Sequence, residues 1–330
     1  MIKISTATLL FLLSACFMLT SSCKKKSDDS PVPGPVPVLT TLTFSNVLLS
    51  TAKLSGNITS DGGTFVTKRG FCWSRTNQNP TIQDDTLVTG NGAGLFSDTI
   101  SGLVGQTTFY VRAFAINNNG TGYGSILSMK TIDSTITDID NNHYHIIQIG
   151  NQVWTAENLK TTKYSNGDAV NHPLTPAAWN QAKTGGYCDY DNYPANSVVY
   201  GRLYNYYAVA DSRNIAPAGW HVPDYNEWTL MINYIGGGNT AGGKLKETGT
   251  THWDNPNTGA TNEFGFTALP GGARDDQGVF SGIKSGGVFW IATTSGTDLA
   301  WFFSVNNTDQ KVFSFTWFKG FGFSLRCVRD

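Results

Sequence analysis

Thr107-Thr108-Phe109-Tyr110-Val111-Arg112-Ala113-Phe114-Ala115 is a run whose side chains sort by parity. In an extended strand Phe109, Val111, Ala113 and Ala115 fall on one face, with Tyr110, Arg112 and Phe114 opposite. Ala52, Leu54, Gly56 and Ile58 repeat the pattern upstream. Asp61-Gly62-Gly63, Asn91-Gly92 and Asn117-Asn118-Asn119-Gly120 separate such runs. These residue types tolerate the backbone angles of tight turns. Short alternating strands between turns predict an antiparallel β-sandwich over residues 38–131.

The chain is 330 residues long, which favours two domains over one. Only 14% of residues are charged and the formal net charge is −1, so no basic field exists to gather nucleic acid. Gly and aromatic residues are plentiful, which suits twisted sheets and ordered loops packed on rings. The 5 Cys are too scattered for a disulfide-dense scaffold.

The N-terminus carries an address. Lys3 precedes an apolar stretch, Ile4 to Leu19, too short for a stable membrane span and suited to a secretory leader. Two small-residue sites end in Cys: Leu13-Ser14-Ala15-Cys16 and Leu19-Thr20-Ser21-Ser22-Cys23. Both resemble the lipobox of bacterial lipoproteins. Cys23 is preferred as the acylated residue, with Cys16 the alternative. Cleavage before Cys23 removes the whole apolar run as a signal peptide, residues 1–22. Lys24-Lys25-Lys26-Ser27-Asp28-Asp29 then follows, which resembles the start of many Bacteroidetes lipoproteins. In that group a charged segment after the Cys implies export to the outer face of the outer membrane. Residues 23–37 form a tether whose alternate prolines, Pro31, Pro33, Pro35 and Pro37, hold it extended.

In the first domain, Arg69-Gly70-Phe71-Cys72-Trp73-Ser74, Gly102-Leu103 and the run Thr107 to Ala113 resemble a fibronectin type III-like domain. The resemblance implies a buried corner role for Tyr110, its hydroxyl bonded to nearby backbone, and a core place for Trp73. Cys72 has no partner in this domain and reads as a small buried apolar residue. Asp133-Ser134-Thr135 resembles a short Bacteroidetes O-glycosylation motif, but an unmodified linker is the default reading.

Residues 137–330 carry several segments in order. They include Ile149-Gly150-Asn151-Gln152-Val153-Trp154, Glu157-Asn158-Leu159-Lys160 and Tyr200-Gly201-Arg202-Leu203-Tyr204-Asn205. Then come Gly219-Trp220-His221-Val222-Pro223, Gly265 to Arg274 and Gly322-Phe323-Ser324-Leu325-Arg326-Cys327-Val328-Arg329. Together they resemble the Fibrobacter succinogenes major paralogous (FISUMP) domain family. That family in turn resembles the C-type-lectin-like fold of formylglycine-generating enzymes, through an analogous Pro-x-x-x-Glu-Trp helix start and a terminal Arg-Cys strand. The chain is therefore expected to be mostly β with some α: a fibronectin type III-like sandwich followed by an α+β, C-type-lectin-like domain. Asp224 and Glu227 predict a capping box, and Trp228, Met231, Ile232 and Ile235 an apolar helical face ended by Gly236-Gly237-Gly238. A second short helix is expected over 176–183.

Candidate chemistry is sparse. His143 and His145 share one face of a strand but lack a Cys/His cluster, so a structural pair is the better reading. Asp138-x-Asp140-x-Asn142 begins like a calcium loop, yet His143 stands where Gly is required and Ile149 where Glu is required. An Asx-type turn is the better reading, and no cofactor, calcium included, has a supporting motif. No catalytic residue is assigned. The family resemblance implies a Cys at the position of Ala216, and with it lost, Cys188 and Cys327 become a candidate disulfide. Tyr190, Tyr193, Trp253 and Trp317 are the candidate ligand-binding aromatics, against the plainer reading that most such rings fill the core. Arg274, Arg326 and Arg329 are expected in salt bridges. The expected function is extracellular recognition or adhesion with polysaccharide as ligand, membrane-held through lipid and without enzymatic activity. The alternative is a structural or assembly component of the cell envelope with a protein partner.

Overall fold

The computed structural model describes residues 34–330; the leader, Cys16, Cys23 and the start of the tether lie outside them. Eight strands build the first domain: β1 (Val38–Ser45), β2 (Thr51–Ser60), β3 (Lys68–Ser74), β4 (Asp85–Gly90), β5 (Gly94–Ser101), β6 (Thr108–Asn117), β7 (Gly120–Tyr123) and β8 (Leu127–Lys130). One sheet runs β1-β2-β5 and the other β4-β3-β6-β7, with β8 also pairing β6. This three-on-five arrangement is a fibronectin-like sandwich. Phe109, Val111, Ala113 and Ala115 face inward against Ala52, Leu54, Ile58 and Phe71. Trp73 is in this core. Gly70 is required by close approach, because a Cβ there would stand 1.9 Å from the Leu87 carbonyl oxygen. Cys72 is fully buried, its thiol 3.5 Å from the Pro80 carbonyl, and burial pushes its pKa up to about 11.

The corner role of Tyr110 is not borne out. Its parity places it on the outer face of β6, opposite Ser74 and Ser128, where it is half-buried. Only its neighbours Phe109 and Val111 point into the core.

The second domain begins with β9 (Thr135–Thr137), β10 (His143–Ile149) and β11 (Gln152–Thr155), then α1 (Pro176–Gln181), β12 (Tyr187–Cys188) and α2 (Pro194–Tyr200). β13 (Leu203–Asn205), α3 (Tyr206–Val209), β14 (Trp220–His221), α4 (Tyr225–Tyr234) and α5 (Ala241–Leu245) follow. The chain ends with β15 (Gly271–Arg274), β16 (Phe280–Ile283), β17 (Gly286–Ser295), β18 (Leu299–Asn306), β19 (Phe313–Phe318), β20 (Gly322–Phe323) and β21 (Val328–Arg329). Three antiparallel sheets result, ordered β14-β21-β11-β10-β9, β12-β13-β20-β15-β16 and β17-β18-β19. The final strand β21 lies between β14 and β11, so the domain closes on its own beginning.

Helix α4 starts at the expected capping box: Glu227 N donates to Asp224 Oδ1, and Asp224 N to Glu227 Oε2, each at 2.8 Å. Trp228, Met231, Ile232 and Ile235 are buried, and the left-handed angles of Gly236 and Gly237 end the helix. The Asp138 carboxylate accepts from Asp140 N, Asn142 N, Asn142 Nδ2 and Tyr144 Oη at 2.6–2.9 Å, which is the Asx turn rather than an open calcium loop.

Among the described residues, Arg274, Arg326 and Arg329 do not form the expected salt bridges. Arg274 and Arg326 are fully buried and use carbonyl dipoles instead. Arg326 Nε donates to Asn158 Oδ1 at 2.6 Å, Nη1 to Thr155 O at 2.9 Å and Phe266 O at 2.8 Å, and Nη2 to Thr267 O at 3.0 Å. Burial pulls its pKa down to about 9. Arg274 reaches the carbonyls of Gly278, Pro173 and Leu174 and stands over the Trp179 and Phe280 rings. Lys246 is likewise buried, its Nζ donating to the carbonyls of Thr258, Asn306 and Asp309 at 2.8–2.9 Å.

The candidate Cys188–Cys327 disulfide is not formed; both thiols are free and buried. They occupy different clusters, Cys188 with Trp179, Tyr190 and Leu203, and Cys327 with Tyr204, Ala216 and Leu325.

Replacing Arg326 with Met strands four acceptors in two chain segments. Since each buried acceptor left without a donor costs about 1–3 kcal/mol, a loss of at least about 3 kcal/mol in urea unfolding is expected. Arg326→Lys restores only part of it, since an ammonium presents its donors from one point. A loss near zero for the Met variant would show that the network does not hold the domain.

Candidate functional site

Strand β19 reads Phe313-Ser314-Phe315-Thr316-Trp317-Phe318 and pairs with β18 on one side only. Register puts Phe313 opposite Ser304, Phe315 opposite Phe302 and Trp317 opposite Ala300, so these three aromatics share a face. Phe315 is 54% exposed and Trp317 44%, while Phe313 is half-buried. The Phe313 and Phe315 rings are nearly parallel, with centroids 6.4 Å apart. Trp317 meets Phe321 edge-on at 5.6 Å.

The row is continuous with the core. Phe315 lies 6.1 Å from Phe302, Phe302 5.1 Å from Phe323, and Phe323 4.4 Å from buried Trp290. Rings seated on rings have little rotamer freedom left to lose, so the surface is ordered before any ligand arrives. The approach to β19 is pinned by α5, where a Cβ on Gly242 would stand 2.2 Å from the Lys311 carbonyl oxygen. Lys319 is the cation nearest in sequence, and its Nζ is occupied by the Thr297 and Gly296 carbonyls. Exposed apolar rings in a row, backed by a rigid sheet, make this strand the candidate recognition surface.

The four aromatics expected at a ligand site part company. Trp317 belongs to this row. Tyr193 is 61% exposed but lies before α2, with no ring contact to Trp317 among the described residues. Tyr190 and Trp253 are core residues. Tyr190 packs 5.2 Å from Phe280, and Trp253 Nε1 donates to Ala268 O at 3.0 Å. Buried rings cannot stack on an external ligand, so these two leave the candidate site. Phe313, Phe315 and Phe321 were not anticipated. The strict alternation of aromatics with Ser314 and Thr316 is the signal that points to them.

His143 and His145 do lie together on the exposed face of β10, and each has a partner. His143 Nδ1 is 3.0 Å from Thr137 Oγ1, and His145 Nδ1 is 2.7 Å from Glu157 Oε1. Among the described residues no group of three or more His, Cys, Asp or Glu side chains is arranged to hold a metal, and no helix is long and apolar enough to cross a membrane.

A second polar feature lies where the domains meet. Gln148 Oε1 accepts from Ser50 N and Oγ, and Gln148 Nε2 donates to Thr51 Oγ1 at 2.9 Å. Nearby, His221 is clamped between carboxylates, with Nδ1 2.6 Å from Asp330 Oδ1 and Nε2 2.9 Å from both Glu227 oxygens. Only an imidazolium donates at both nitrogens. Burial acts to lower the His221 pKa, but the bonds to Asp330 and Glu227 outweigh it and raise the value.

Fold and surface together define a two-domain, mostly β protein with an aromatic edge strand. The chain belongs to the Fibrobacter succinogenes major domain family, which matches residues 147–329. No curated protein sequence matches it. Solved structures align over about a third of the chain. The FN3 domain of human collagen XX is 24% identical, covering 31% of this chain and 98% of its own, with a TM-score of 0.23. The third fibronectin III domain of human KIAA0343 protein is 16% identical, covering 33% and 93%, with a TM-score of 0.24. The sensor domain of the anti-sigma factor RsgI4 from Pseudobacteroides cellulosolvens is 16% identical, covering 32% and 99%, with a TM-score of 0.23.

A histidine whose folded pKa is raised stabilises fully below its unfolded value, and that stability is lost as pH rises through the folded value. Stability should therefore fall as pH rises beyond about 6.5. The step should vanish in His221→Gln. Melting temperatures across pH 5–9 check this, and a step of equal size in the variant would assign it to another group.

Proposed function

We propose that this protein is a non-catalytic surface lipoprotein that recognises polysaccharide through the aromatic row of β19. The observation that carries the reading is the exposure of Phe315 and Trp317 on one face of a core-backed edge strand. Aromatic faces suit the apolar C–H faces of sugar rings, and the strand edge beside them offers unpaired backbone donors and acceptors to hydroxyls. The three cysteines among the described residues are free and buried, and burial pushes the Cys188 thiol up to about 12 and raises Cys327 as well, so neither is poised as a nucleophile. A C-type-lectin-like arrangement of the second domain is supported by the capped Pro223-to-Trp228 helix start and the terminal Arg326-Cys327 segment beside β11.

The address belongs to the same proposal. An acyl group on Cys23, a Pro-rich spacer and then two domains would hold the row of rings away from a bilayer, outside the cell.

A chain carrying both domains should bind at least one member of a panel of insoluble and soluble polysaccharides. Trp317→Ala and Phe315→Ala should each weaken that binding by about tenfold, in line with about 1–3 kcal/mol for a stacked ring. Phe318→Ala, on the opposite face, should not. No binding across the panel, with a fixed envelope protein recovered by crosslinking instead, would replace recognition by the structural-component reading.

Export of Cys23→Ala in a native host should give a chain without lipid by mass spectrometry. A variant that still carries lipid would move the anchor to Cys16.

A further inference from the structure

The two domains enclose a cleft of about 640 Å³, lined on one side by Thr51, Lys53 and Thr99 and on the other by Gln152, Glu227 and Arg329. Lys53 lies mid-strand in β2, between Ser45 of β1 and Thr99 of β5. Its neighbours Ala52 and Leu54 are buried, so parity turns Lys53 outward to the cleft. Arg329 lies on β21 opposite Trp220, and its neighbour Val328 is buried, so parity turns Arg329 outward as well. Arg329 also lines the adjoining hollow beside Asp133 and Trp220.

The acidic side chains of the cleft are already engaged. Glu227 and Asp330 flank His221, and Glu227 also closes the cap of α4. Lys53 and Arg329, by contrast, have no carboxylate within 4 Å among the described residues. Two free cations, one from each domain, therefore face one polar space whose side-chain carboxylates are spoken for. Hydroxyls of Thr51 and Thr99 stand beside them. A guanidinium and an ammonium left without protein acceptors are matched by an oxyanion, which both bind through charge-assisted hydrogen bonds.

We infer that the interdomain cleft binds an oxyanion-bearing ligand, a carboxylate, sulfate or phosphate, held by Lys53 of the first domain and Arg329 of the second. A ligand gripped from both sides favours one relative orientation of the domains over others. The site is separate from the aromatic row and does not depend on what that row binds.

The test uses a chain carrying both domains, with sodium sulfate, sodium phosphate and sodium glucuronate titrated separately. Ionic strength is held constant with sodium chloride, which removes general screening. The expected result is a saturable change in melting temperature, and in the amide resonances of Thr99 and Gln152, with at least one of the three anions. Lys53→Ala and Arg329→Ala should each weaken binding about tenfold or more, while both variants melt like the parent without anion. Lys311→Ala, an exposed cation outside the cleft, should bind as the parent does. No saturable response to any of the three overturns the inference. So does a response that survives in both cleft variants, or one that Lys311→Ala weakens equally.

Discussion

A guanidinium taken out of water must find acceptors for its donors, and Arg326 finds four in two separate stretches of chain. Thr155 and Asn158 come from the start of the second domain, Phe266 and Thr267 from the long loop before β15. The arginine itself precedes the last strand. The guanidinium also sits 4.4 Å over the Phe266 ring, which packs on Trp154, Trp228 and Phe289. Without this tie, the closing strand would have few reasons to sit where it does, because β21 is only two residues long. Carbonyl dipoles offset part of the desolvation of the charge without adding a second buried ion.

That closure sets the position of what faces outward. With β21 held between β14 and β11, Arg329 is presented to the first domain and His221 to its two carboxylates. The sheet β17-β18-β19 packs against the same core through Phe289, Trp290 and Phe303. Its outermost strand then has rings behind it and solvent in front. A binding surface of the kind proposed needs a rigid support more than it needs a pocket.

Parts of this arrangement were legible in the sequence because they are local. Parity in Phe109 to Ala115 gave the strand and its buried face. Asp224 with Glu227 gave the helix start, and Asp138 with Asn142 the turn. Other parts were not legible, since they depend on which strands become neighbours. Trp253 and Trp317 look equally available as residues, yet one is covered by a loop and the other lies on a sheet edge. Nothing near position 313 encodes that no strand follows β19 in its sheet. Tyr110 was misplaced by assigning a family role against the parity of its own strand. The arginines were misjudged because a salt bridge is the commonest partner for a guanidinium, whereas folded loops can supply carbonyls that no sequence window displays.

Lys246 carries a similar lesson in another currency. Its ammonium draws together the carbonyls of Thr258, Asn306 and Asp309, a task that bound ions perform in many loop-rich proteins. Here the positive charge is covalently attached to the chain. It cannot be diluted, exchanged or chelated away from these carbonyls, so the shape of these two loops is insulated from the mineral content of the surrounding fluid.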